Sequence, residues 1–132
     1  MSKSILYTSN TTSQVTTAAG STLNFGTPVR RYGYDIGLSG GNVTVNNKGY
    51  YHVDTQVVFT SGGAGTVQVQ LLKDGVAVPG ATASFTAAEN SIYAVGVPCV
   101  IRNVCCCEST LTATVSGVAG TVTSVSVVVE KL

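Results

Sequence analysis

From Gly49 to Thr60 apolar and polar side chains alternate without a break. Tyr51, Val53, Thr55, Val57 and Phe59 fall on one face, and Tyr50, His52, Asp54, Gln56 and Val58 on the other. A period of two marks a β-strand. The first set predicts a core face. The second mixes aromatic, charged and amide groups, as a face does that is solvated or joined to another subunit.

The segment Thr66–Lys73 repeats the pattern with Val67, Val69 and Leu71 on one face. It closes on Asp74-Gly75, a strong hairpin signal. Val76–Gly80 follows, and Ala81, Ala83 and Phe85 carry the apolar face onward. Ala87–Asn90 is too short for a stable helix. Ser91–Val104 puts Tyr93, Val95, Val97, Cys99 and Ile101 on one side, and Pro98 inside it predicts a bend or a sheet edge. Leu111, Ala113 and Val115 alternate with Thr110, Thr112, Thr114 and Ser116. The last strand, Ser124–Glu130, is apolar on both faces near its end through Val125, Val127, Val128 and Val129. That pattern predicts a central place in its sheet.

The first third is less regular. Residues 4–8 predict a short strand, and Ser9–Ser21 a Ser/Thr-rich loop or irregular edge. Leu23–Val29 alternates weakly and ends near Pro28, and Tyr32–Leu38 alternates again. Ser39–Asn42 and Asn46–Gly49 read as turns around a strand at Val43–Val45. The expectation is one all-β domain over residues 1–132, a two-sheet jelly-roll sandwich of about ten strands. Residues 1–48 are expected to form its less regular edge strands.

Composition agrees with this class. The chain has 22 Val and 18 Thr against one Met and no Trp, and both common types suit a pleated surface. Seven basic residues face six acidic ones with no run of either sign. A nucleic-acid groove or an anionic membrane surface needs clustered Lys and Arg, so neither partner is expected. With 10% charged residues and a mean hydropathy of +0.33, the chain is expected to hide surface in an oligomer. No apolar stretch reaches the roughly 20 residues of a membrane helix. The N-terminus lacks the apolar core of a signal peptide, so synthesis without secretion is the expectation.

The motifs Gly49-Tyr50-Tyr51-His52-Val53 and Val69-Gln70-Leu71-Leu72-Lys73-Asp74-Gly75-Val76 are joined by Val78-Pro79-Gly80 and Ser109-Thr110-Leu111-Thr112. With the Val-rich final strand, they resemble the tumour-necrosis-factor/complement-globular-head superfamily over the last two-thirds of the chain. Within it they look most similar to the C-terminal domains of bacterial collagen-like surface glycoproteins and to small phage or prophage proteins. No Gly-X-Y tract precedes the domain. The segment before Ser109 reads Cys105-Cys106-Cys107-Glu108, where relatives carry a small residue, Gly and Asp. The resemblance implies a TNF-like jelly roll that forms a homotrimer through its inner sheet. It implies display, adhesion or receptor binding, to a cell-surface glycan or protein, with no catalysis and no cofactor. It also suggests incorporation in a virion. A carbohydrate-binding module is the alternative, with Tyr32, Tyr34, Tyr50 and Tyr51 as a stacking platform, although the lack of Trp speaks against it.

Candidate chemistry is sparse. Cys105, Cys106 and Cys107 are contiguous, and neighbouring side chains on a strand point to opposite faces, so they do not converge on one ion within a chain. With Cys99 they read as free thiols, and no metal is expected. A threefold axis leaves one route to a metal, with one cysteine from each subunit. His52 is the one histidine, with Asp54 two residues on. No Gly-x-Ser-x-Gly elbow accompanies them, so the pair reads as a polar patch rather than a hydrolase dyad. Arg30-Arg31-Tyr32 is the one basic doublet with an aromatic neighbour, the residue types enriched at interface centres. Arg30, Arg31, Tyr32, Tyr50, His52 and Gln56 are therefore the candidate interface or ligand residues.

Overall fold

The computed structural model describes residues 3–104 and 108–132, and no helix occurs among them. The first strands are β1 (Ile5–Asn10), β2 (Gln14–Thr16), β3 (Ser21–Thr22), β4 (Thr27–Tyr32), β5 (Ile36–Ser39) and β6 (Asn42–Val45). The longer ones follow: β7 (Gly49–Ser61), β8 (Gly65–Lys73), β9 (Val76–Ala87), β10 (Ile92–Asn103), β11 (Ser109–Ser116) and β12 (Gly120–Lys131). One sheet, called A, runs β10-β7-β12-β1-β4, with β2 also beside β12. The other, B, runs β5-β6-β11-β8-β9, with β3 beside β11. All pairings are antiparallel.

The alternation read from the sequence sets the packing. Tyr51, Val53, Thr55, Val57 and Phe59 of β7 are all buried, as are Val125, Val127 and Val129 of β12. They meet Val67, Val69 and Leu71 of β8 and Leu111, Ala113 and Val115 of β11. β12 lies between β7 and β1, the central place that its two-sided apolar pattern predicts. β10, which contains Pro98, and β4, which contains Pro28, are the two edges of sheet A, where a missing N–H costs no ladder bond.

Five features differ from expectation. The first strand continues to Asn10, because Ser9 and Asn10 pair with Ser126 and Val125. The Ser/Thr-rich stretch holds a short strand, β2, with Thr16 buried against β12. Tyr32–Leu38 is not one strand: Gly33 turns at φ +81° and the chain crosses from sheet A to sheet B. The N-terminal strands are not all edges. β4 and β5 are, whereas β1 and β6 lie one strand in, zipped to β12 and β11. Leu23 and Phe25 belong to no strand, yet both are buried, held by bonds from their N–H groups to Ala113 O and Gly41 O.

A bulge interrupts β9. Gln70 faces Thr82 and Leu72 faces Ala77, so Val78–Ala81 loop out between them. The Gln70 amide fills the gap, donating to Leu71 O at 2.8 Å and Ala81 O at 3.1 Å. Pro79 sits in this bulge, where no donor is required.

Candidate functional site

The two outward faces of the sandwich differ in kind. On sheet B the rows read Thr22, Thr114, Gln70, Thr82 and then Ser116, Gln68, Ser84. These positions carry hydroxyls and amides and no charge. On sheet A, one row is Val100, His52, Glu130, Ile5 and Tyr32. The next is Pro98, Asp54, Val128, Tyr7 and Arg30, and a third is Gly96, Gln56, Ser126 and Ser9. Ile5, Tyr7, Tyr32, Tyr50, Ile92 and Val100 are all exposed on this side.

Five of the six candidate residues thus share one face. Tyr50, His52 and Gln56 project from β7, and Arg30 and Tyr32 from β4. His52 and Tyr32 are three strand spacings apart, about 14 Å, so they bound a broad surface rather than a pocket. Arg31 is not part of it. It pairs with buried Leu6 and projects to the opposite side, towards Gly37 of sheet B.

The polar contacts of the face run across strands. His52 Nδ1 lies 4.0 Å from Glu130 Oε1. Glu130, not Asp54, is the carboxylate within that distance among the described residues. His52 and Asp54 do share the outward face of sheet A, and register brings Glu130 of the neighbouring strand closer to the imidazole than the next position along its own. The Arg102 guanidinium stands 5.8 Å from the centroid of the Tyr50 ring, a cation–π contact that holds both side chains at the corner of the sheet.

The tyrosine platform is not assembled. Tyr51 is fully buried and donates its hydroxyl to Asn47 O at 2.7 Å. Tyr50 and Tyr32 stand on different strands across the sheet, and Tyr34 lies in the β4–β5 connection. Cys99 is half-buried on the core side of β10, and burial pushes its thiol pKa up. Cys105, Cys106 and Cys107 lie outside the described residues. Among the described residues no group of three or more His, Cys, Asp or Glu is placed to hold a metal.

One polar cluster was not foreseen. Asp35 is buried where β5 begins. Its Oδ2 accepts from Ser4 Oγ at 2.7 Å and lies 3.5 Å from Lys131 Nζ, while Asn47 Nδ2 donates to Oδ1. The four residues come from distant parts of the chain, so no local pattern announces them. They tie the start of β1 and the end of β12 to the β6–β7 turn.

No protein-family model matches the chain, and no curated protein matches it. Solved structures do. A crystal structure of murine APRIL at pH 5.0 is 15% identical with a TM-score of 0.80, covering 99% of this chain and 100% of that one. Eiger TNF from S. frugiperda is 11% identical with a TM-score of 0.68, covering 98% and 91%. Murine APRIL at pH 8.0 is 18% identical with a TM-score of 0.66, covering 99% and 100%. The fold is a TNF-like jelly roll.

Proposed function

We propose that this chain is a non-enzymatic module that assembles as a homotrimer through the outward face of sheet A. The asymmetry of the two faces carries the reading. Ile5, Tyr7, Tyr50, Ile92 and Val100 are exposed on sheet A, while sheet B presents mainly Thr, Ser and Gln, with Leu72 and Ala77 in one neighbouring row. Apolar and aromatic side chains gathered on one side fit an interface. A ring of three needs two different complementary patches on each copy, and the broad sheet face and the β10 edge supply them. A structural or adhesive role in a phage or prophage particle, or at a bacterial surface, is the setting that the sequence resemblance supports.

Light scattering at micromolar concentration tests the assembly. The expected mass is three times 13.5 kDa, about 40 kDa. Tyr7→Arg with Val128→Arg, both on the outward face, should give a folded monomer. A monomeric wild-type chain would overturn the reading. A glycan and receptor-protein array on the confirmed trimer then tests adhesion.

A further inference from the structure

Where β9 and β10 meet at the edge of the sandwich, the two sheets part. The bulge at Val78–Ala81 carries β9 away from the ladder, and a cleft of about 460 Å³ opens beside the Asp74-Gly75 turn. This lies within the size range of small-molecule sites. Its wall is aliphatic: Val76, Val78, Pro79, Val100 and Ile101. Lys73 and Arg102 also line it, with Asp74.

The charges there are unequal in their freedom. Asp74 Oδ1 accepts from Thr110 N–H at 2.9 Å, and Asp74 N–H donates to Thr110 O at 2.8 Å. One oxygen of this carboxylate is thus held by the backbone of β11, and its charge offsets one of the two cations, so the lining keeps a net positive charge. Among the described residues neither Lys73 nor Arg102 makes an ion pair with a carboxylate. Arg102 is instead steadied by the Tyr50 ring, which leaves its N–H edges available. A guanidinium in fixed orientation beside an aliphatic wall suits a carboxylate on a hydrocarbon body.

We propose that this cleft binds a small aliphatic carboxylate, with Arg102 and Lys73 on the anion and the Val76–Pro79 segment on the chain. A sugar fits less well. The lining offers few polar side chains beyond these, so most hydroxyls of a pyranose would lose water without gaining a partner. The cleft is built within one chain, but Val100 and the β10 edge are shared with the face proposed for assembly, so mass is measured alongside binding to tell the two apart.

The test is a calorimetric and NMR titration of the full chain with sodium hexanoate, sodium octanoate and octanol, below micellar concentrations. Octanoate should bind saturably at one per chain. It should bind about fourfold tighter per methylene than hexanoate and roughly tenfold tighter than octanol. Arg102→Gln and Lys73→Gln should each weaken it by about tenfold. Val76→Asp, at an exposed turn position, should abolish binding while leaving the fold intact. Octanol binding as well as octanoate, a Val76→Asp chain that binds normally, or no saturable binding would overturn the proposal. Mass measured on the same samples reports assembly separately. A trimer whose cleft resonances stay unmoved would show that a second copy occupies the site, which also overturns it.

Discussion

Thr8 and Thr55 stand on the core face of sheet A on either side of Val127, each in register with it. Both are buried, and neither hydroxyl has a hydrogen-bond partner among the described residues. A hydroxyl taken out of water without a partner costs about 1–3 kcal/mol, and valine has nearly the same shape. Thr55→Val should therefore raise stability by about 1 kcal/mol, and Thr8→Val should act in the same direction. Urea midpoints measure both. A loss of stability in both variants would mean that the hydroxyls are satisfied in solution.

Removing the carboxylate of Asp35 strands three groups together: the Lys131 ammonium, the Ser4 hydroxyl and the Asn47 amide. Asp35→Ala should cost about 3 kcal/mol. Lys131→Met should cost less, about 1 kcal/mol, because Asp35 keeps its hydroxyl and amide donors. Chemical denaturation of the two variants side by side reads the difference, and equal losses would remove the hydrogen bonds from the account.

Alkaline pH should destabilise the fold. Burial, and then the charge of Asp35, hold the Tyr51 pKa above its ordinary value of 10.0. Burial does the same to Cys99 above 9.0. The unfolded chain ionises first, so it holds fewer protons than the native state and stability falls as pH rises. The contribution of each group is complete below its unfolded pKa and is lost as pH climbs through its folded one. Tyr51→Phe should flatten the decline above pH 10, at a cost near neutrality of about 1 kcal/mol for the bond to Asn47. Melting temperatures from pH 7 to 11 give the slopes, and parallel curves for both proteins would count against Tyr51.

Gly120 opens β12 directly against β7. A Cβ there would strike the Phe59 ring and the Thr60 carbonyl, and backbone cannot yield as a flexible side chain does. Gly120→Ala should cost roughly 2 kcal/mol or more. A variant melting with the wild type would show that β12 starts later in solution.

The parts of the fold that were legible in the sequence are those governed by one strand at a time. The inward sets of β7, β8, β11 and β12 follow from a period of two, and the central place of β12 follows from its valines. What the sequence concealed depends on pairing. His52 meets Glu130 because β7 and β12 are in register there, which alternation within β7 does not encode. Arg31 leaves the candidate face because Arg30 lies opposite Tyr7 and Arg31 opposite Leu6. Leu23 and Phe25 enter the core from irregular backbone, where no periodicity marks them.

The place of β12 has a consequence for synthesis. It comes last among the described strands in chain order, yet it joins β7 to β1 and, among the described residues, carries the only bridge between the two parts of sheet A. Until residues 120–131 leave the ribosome, the β10-β7 pair and the β1-β4 pair have no ladder to each other, and both offer open edges. Completion of the sheet thus waits for residues 120–131, and the closing step joins residues more than a hundred positions apart, as Leu6 joins Val129. Contacts this distant in sequence form slowly, so the nascent chain passes through an interval in which its valine-rich edges are open to other chains.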